Sequence, residues 1–357
     1  MTTGAAQTLW RSYRTLPGAR VAVAGSGPLN MQVALELARG GATIVLLAEA
    51  APRPVARPGA ALAMAAADPG LALTGLGFLA GLARRGVPVA HLSAITAIEP
   101  APGGAGAGLV VHARGPGGAF RVEADAVCLN DGFQPQNEVL RLLGVRMHYD
   151  ARFDQLRPER DATMQTSLPG IFAAGDCCGL GGARAAREEG LIAGAAAAAH
   201  AAGRPIPALP AARRRLARAR RFQAALWRLF EPGPGPLDSL APEVPVCRCE
   251  NVTRAQIDAA LAADIAEIGA LKRATRAGMG RCQGRFCQPV LARLVTARAG
   301  RLPGPFDFFA PRVPIRPVAI EALLAAGSAG AVPAAPWSGG PPDAQAGMPP
   351  APDAGDG

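Results

Sequence analysis

Lysine is almost missing from this chain: of its 37 basic residues only Lys272 is a lysine, and the other 36 are arginines. Alanine, glycine and proline are abundant as well, a joint bias of the kind a GC-rich coding sequence produces, so arginine frequency alone says little. Aromatic residues make up 4%. Proteins that read single strands stack bases on interleaved aromatic side chains. Neither that pattern nor a recognition motif accompanies the arginines, so no nucleic-acid partner is expected. Long apolar runs are missing too. The longest alanine-rich run, Leu191 to Ala199, stops at His200, well short of the roughly 20 residues that span a bilayer. No signal-peptide pattern is visible. The expectation is a cytoplasmic protein without membrane insertion. Seven cysteines in 357 residues do not suggest a disulfide scaffold in that compartment; metal or redox chemistry is the expected use.

The net charge of +10 is mostly local, because residues 204 to 230 hold eight arginines and no acid. Leu216, Ala219, Phe222, Leu226 and Leu229 form the apolar side of a helix there. Its arginine side is expected to face solvent or dock another protein.

Along the chain, residues 1 to 18 read as a short amphipathic helix with Leu9, Trp10 and Tyr13. "ARVAVAGSGPLNMQVALELARGGATIVLLAEA" reads as strand, glycine turn, helix, strand. Further strands are expected at Val87 to His91, where Pro88 restricts it to a sheet edge, and at Gly108 to Ala113, Phe120 to Val122 and Ala126 to Leu129. Pro205 to Pro210 and "EPGPGPLDSLAPEVP" read as linkers. Residues from Gly327 onward are Gly/Ala/Pro-rich and expected to be disordered.

Gly25-Ser-Gly27-Pro-Leu-Asn30 lies between a hydrophobic strand and an amphipathic helix, the context that makes such a motif credible. Gly25 allows the tight turn, and Gly27 lets backbone approach a pyrophosphate at the helix N-terminus. Glu49 follows Gly25 by 24 residues, at the end of the second strand. A carboxylate there accepts hydrogen bonds from a ribose and repels a 2′-phosphate, so nucleotides lacking that phosphate are expected to bind better than NADP. Asn30 stands where a third glycine is usual. A plain structural turn is the competing reading.

"GIFAAGDCCG" reads as another strand entering a glycine-rich turn and a helix. It resembles the C-terminal flavin-binding strand of two-dinucleotide-fold flavoproteins. The resemblance implies that Gly175 and Asp176 belong to an FAD site. Cys128 reads as core, and Cys177 and Cys178 as packing beside that turn, with a redox role as the alternative.

The remaining cysteines form two tight pairs, Cys247/Cys249 and Cys282/Cys287. Four thiolates in one small unit suit zinc or a [2Fe–2S] cluster. C-x-C with C-x4-C is awkward for one ion, whereas a two-iron cluster gives each pair an iron. Gly278, Gly280 and Gly284 let backbone N–H groups approach the sulfurs. Thr253 and Gln256 form a capping box for the helix that follows.

"CRCENVT…LKRATRAGMGRCQGRFC" resembles the bacterioferritin-associated-ferredoxin-like [2Fe–2S] domain. A version of that domain ends the alpha subunits of heteromeric amino-acid dehydrogenases of the D-hydroxyproline/proline dehydrogenase, opine oxidase and hydrogen cyanide synthase type. The likeness runs upstream through "LNDGFQPQNEVLRLLG" and downstream into "RVPIRPVAI", covering about residues 1 to 325. It implies an α/β, Rossmann-like two-dinucleotide-binding fold of the pyridine nucleotide-disulfide oxidoreductase type plus a small helical cluster domain. The expected division is a nucleotide-binding domain at 1–130, the C-terminal part of an FAD-binding domain at 131–204, the arginine-rich helix and linker at 205–245, the cluster domain at 246–300, an arm at 301–326 and a tail at 327–357.

Family alpha subunits begin with an FAD-binding segment that has no counterpart before "MTTGAAQTL". The expectation is a fragment, a misassigned start or a split gene, with an incomplete FAD site and poor solubility without a partner. The resemblance implies an oxidoreductase subunit that handles electrons beside a flavin-bearing beta subunit, in a hetero-oligomer. Its implied cofactors are the cluster, FAD and an occupant of the Gly25 site, with NAD, ATP or nothing left open. No residue reads as a catalytic acid or base. The alternatives are an NAD(P)H-dependent flavoprotein reductase, a glycerol-3-phosphate-dehydrogenase-like protein, or a non-catalytic iron–sulfur binding fragment.

Overall fold

The computed structural model describes residues 1–103, 106–232, 240–315 and 317–328. It divides into residues 1–311 and the segment from Arg312 onward. In the latter, helix α11 spans Ile320–Ser328, so helix occupies the first residues of the expected tail. The rest of that tail, and much of the linker "EPGPGPLDSLAPEVP", lie outside the described residues.

The first unit is built on a parallel sheet of order β3-β2-β1-β7, with β1 Arg20–Gly25, β2 Thr43–Glu49, β3 Val89–His91 and β7 Ala126–Asn130. β3 is at the edge, where Pro88 costs no ladder hydrogen bond. Strands covered on both faces read as continuous apolar runs, and alternate residues go to different layers. Val21, Val23 and Leu47 face α2 (Pro28–Arg39). Ala22, Ala24, Leu46 and Ala48 face Val111, Ala113 and Ala124. Those last residues belong to an antiparallel sheet of β4 Ala94–Pro100, β5 Leu109–Gly115 and β6 Gly118–Ala124. Small residues on the second face let the two sheets approach. Each fully buried valine or leucine contributes about 1.5–3 kcal/mol.

Helix α1 (Thr3–Tyr13) starts at Thr2, whose hydroxyl accepts from Ala5 N, and is tied to α2 by Arg11 and Glu36. Helices α3 (Pro58–Ala67) and α4 (Pro69–Arg84), not expected from the sequence, follow β2.

"GIFAAG" is not a strand. Its backbone makes isolated contacts with the preceding segment, Phe172 with Gln165, Ile171 with Thr166 and Ala173 with Met164, and no parallel neighbour for it is among the described residues. It runs into a 3-10 turn, Asp176–Cys178, and then α6 (Gly182–Ala201).

The arginine-rich helix is α7 (Pro210–Leu229). Its expected apolar stripe is buried, but much of its polar side is bound within the molecule. Arg215 pairs with Glu188 at 2.9 Å and Arg220 with Glu189 at 2.8 Å, while Arg218 reaches Asp68 at 3.6 Å. These three arginines are staples to α6 and the α3–α4 junction rather than a free docking face.

After β7 come α5 (Glu138–Leu142) and the hairpin β8 Met147–Asp150 with β9 Gln155–Pro158. The cysteine-bearing unit comprises β10 Pro245–Cys247, β11 Val252–Thr253, α8 Arg254–Ala262, α9 Ile268–Thr275 and α10 Gln288–Arg298. The capping box at Thr253 and Gln256 forms. The core of this unit does not stop at residue 300: Leu156, Phe308 and Phe309 are part of it, and Met147 and Tyr149 pack on it.

Candidate iron–sulfur and nucleotide sites

The four clustered cysteines interact with one another across the two sequence pairs and within one of them. Cys282 interacts with Cys249, and Cys287 with both Cys247 and Cys282. Among the described residues, no three His, Cys, Asp or Glu side chains gather as a single ion would need.

The environment of the four thiols is uneven. Cys247 and Cys287 are buried, Cys282 is half-buried and Cys249 is exposed. Burial, then the neighbouring Cys247, pushes Cys287 up to about 12. Burial also works against the Cys282 thiolate, but the Phe286 N–H, the Cys249 thiol and two further backbone N–H groups outweigh it and hold Cys282 below the usual range.

The loop carrying Cys282 wraps an aromatic ring. Gly278 and Gly284 both have positive φ, and a Cβ on either would lie 2.2 or 2.4 Å from the ring of Phe309. Only glycine lets the loop lie that close, and Gly278 N in turn donates to Cys247 Sγ at 3.4 Å. The ring also has the Lys272 amine 5.0 Å from its centroid. Four thiols, an N–H aimed at one sulfur and a loop closed over an aromatic floor fit a [2Fe–2S] group. The sequence named Gly278 and Gly284; it did not name Phe309, whose signal was the "FDFF" run.

This loop is fastened to the rest of the unit. Arg285, between two of the cysteines, pairs with Glu138 at 3.0 Å. Arg293 pairs with Asp154 at 3.0 Å, and the Tyr149 hydroxyl donates to the same carboxylate. Arg141 donates to the Phe309 carbonyl at 2.7 Å.

At the other turn, Gly175 (φ +78) holds the chain where the "GIFAAG" segment ends. Its N–H donates to Glu189 at 3.0 Å, and Glu189 also takes two 2.8 Å bonds from Arg160. Asp176 is exposed at the start of the 3-10 turn. The Arg160–Glu189–Arg220 network escaped the sequence reading; adjacent glutamates in an alanine-rich helix were its only sign.

The Gly25 turn forms as expected. Gly25 has φ +129, and a Cβ there would lie 1.8 Å from the Asn130 carbonyl oxygen. Glu49 is fully buried beneath the turn and accepts from Gly27 N at 3.2 Å and Ala51 N at 3.0 Å. The N–H that a pyrophosphate would use therefore meets a carboxylate in this structure, and Pro28 has no N–H to offer. The Ser26 hydroxyl donates to Phe230 O at 2.7 Å, so the end of α7 touches this turn while Arg220 of the same helix reaches the Gly175 network.

Burial pushes Glu49 up to about 7, against the hydrogen bonds from Ala51 and Gly27. With the folded value above the ordinary one, protonation favours the fold. That stability is fully present below the ordinary carboxyl range and is lost as pH rises through about 7. Glu49→Gln should remove the loss and be more stable than the parent at pH 8, by up to about 3 kcal/mol. Urea midpoints measured from pH 4.5 to 8 check this; parallel curves for the two proteins would contradict it.

The parallel sheet with its glycine turn, joined to a four-cysteine unit, defines an α/β oxidoreductase fold carrying an iron–sulfur module. The chain belongs to the pyridine nucleotide-disulphide oxidoreductase family, which it matches over residues 3–202, and residues 245–297 match the BFD-like [2Fe-2S] binding domain. It is 35% identical over 324 residues to an opine oxidase subunit of Rhizobium meliloti (strain 1021), covering 89% of this chain and 69% of that protein. It is 31% identical over 325 residues to the hydrogen cyanide synthase subunit HcnB of Pseudomonas aeruginosa, covering 84% of this chain and 66% of that one. The L-proline dehydrogenase structure from P. horikoshii is similar in fold, with a TM-score of 0.56 at 20% identity, over 89% of this chain and 52% of that chain. The relatives are named as subunits, and the chain spans only part of their length. Among the described residues, no helix is long and apolar enough to cross a membrane.

Proposed function

We propose that this chain is the electron-transferring subunit of a flavin-dependent oxidoreductase complex that oxidises a C–N bond of an amino acid or opine. In this reading it relays electrons between flavin and a [2Fe–2S] cluster. The observation that carries it is continuous packing between the two turns. Cys178, beside Gly175 and Asp176, packs with Leu140, Val145 and Met147, and Met147 also packs on the core of the cysteine unit. The subunit names of the relatives support the same reading.

Cys247, Cys249, Cys282 and Cys287 would hold the cluster, which when bound supplies one-electron redox chemistry. Gly175 and Asp176 would belong to the flavin site, and Gly25, Gly27 and Glu49 to a second nucleotide site. Phe309 excludes water from the cysteine loop. The Gly278 N–H, which donates to the Cys247 sulfur, would tune the potential of a cluster held there. Glu189 fixes the Gly175 turn from below. The substrate pocket would lie on the flavin-bearing partner, in the cytoplasm.

The test is a complex of this chain with its flavin-bearing beta subunit. In the Cys282→Ser complex, substrate should still bleach the partner's flavin while reduction of an external dye is lost. Unchanged dye reduction would overturn the relay. NADH bleaching a flavin on the isolated chain would favour the NAD(P)H-dependent reductase instead.

A further inference from the structure

We propose that Cys177 and Cys178 form an exchange-active vicinal dithiol, separate from the four clustered cysteines, that reacts with low-molecular-weight disulfides and closes reversibly on itself. The two Sγ atoms are 3.7 Å apart in the 3-10 turn. Their environments differ. Cys177 is half-buried, with its Sγ 3.4 Å from Ala174 O, while Cys178 is 7% exposed. Arg160, held in place by Glu189, acts on both sulfurs. The hydrogen bond from Cys178 brings Cys177 down to about 7, with the Arg160 charge working against burial. The same bond, with burial, raises Cys178. The arrangement therefore provides an accessible thiolate and a buried thiol in contact with it, the requirements of an attacking and a resolving cysteine.

The chemistry balances without another reactant. The Cys177 thiolate attacks one sulfur of a small disulfide and expels one thiolate, leaving a mixed disulfide. Cys178 then loses its proton to solvent, attacks the Cys177 sulfur and expels the second thiolate. Two protein thiols are oxidised and one small disulfide is reduced to two thiols. Neighbouring Cα atoms are about 3.8 Å apart, closer than the roughly 4.4–6.8 Å usual for disulfides, so the closed form is strained and easily reduced. Closure would also pull on the turn, where Cys178 N donates to Gly175 O at 2.9 Å.

The experiment treats the full chain with oxidised glutathione, alkylates it and maps peptides by mass spectrometry. The peptide holding both cysteines should lose two hydrogens and resist alkylation, and recover with dithiothreitol. Cys178→Ser should retain one glutathionyl group on Cys177, and Cys177→Ser should retain none at this site. Full alkylation of the pair after oxidation, or no capture by Cys178→Ser in a folded protein, would overturn the proposal. Peptide mapping keeps this outcome distinct from oxidation of Cys247, Cys249, Cys282 or Cys287, and the readout does not depend on flavin.

Discussion

Cys282→Ser is expected to give a colourless protein that cannot retain iron and whose residues 246–311 are loosened, whereas the parent made with ample iron and little oxygen should be reddish brown. The half-buried Cys282 is the thiol that its neighbours hold toward the thiolate, and it contacts Cys249 across the site. Its loss removes one of four ligands. Small metal units draw much of their folding free energy from the metal, so the damage should spread through the core formed by Ile257, Leu271 and Leu291. The parallel sheet has its own core around Val21, Leu35 and Leu47 and should keep its protection. Hydrogen exchange resolved by peptide checks both halves. Equal protection of residues 246–311 in parent and variant would contradict the result.

Phe309→Ala is expected to have the next largest effect. The ring is 8% exposed and forms the floor under Gly278 and Gly284. Truncating a buried aromatic costs about 3–5 kcal/mol. Here it also opens the loop that holds Cys282 to water. Iron should be lost to a chelator faster than from the parent, and the cluster potential should shift as water reaches the sulfurs. Phe309→Leu should restore most of the retention, because it refills part of the space. Identical iron release and potential in Phe309→Ala would show that the ring is mere packing.

The parts legible in the sequence were those governed by local rules. The β1–turn–α2 unit follows from a run of apolar residues, a glycine pair and a helical period. The capping box at Thr253 follows from a four-residue pattern. The four cysteines stand out by scarcity. What the sequence hid depends on partners distant along the chain. "GIFAAG" carries strand composition, but a strand needs a neighbour to bond to. The arginines of α7 look free until Asp68, Glu188 and Glu189 are placed opposite them. Phe308 and Phe309 lie beyond the last cysteine, and only the folded chain brings them under the loop. The contact of Cys247 with Cys287 is likewise one that adjacency in the sequence does not suggest.

The most direct test of an iron–sulfur relay is metal and acid-labile sulfide analysis of the purified chain, read with electron paramagnetic resonance after reduction. The prediction is about two irons and two sulfides per chain, with one unpaired electron appearing on reduction and none of these in Cys282→Ser. Stoichiometric zinc with no labile sulfide and no signal on reduction would contradict it.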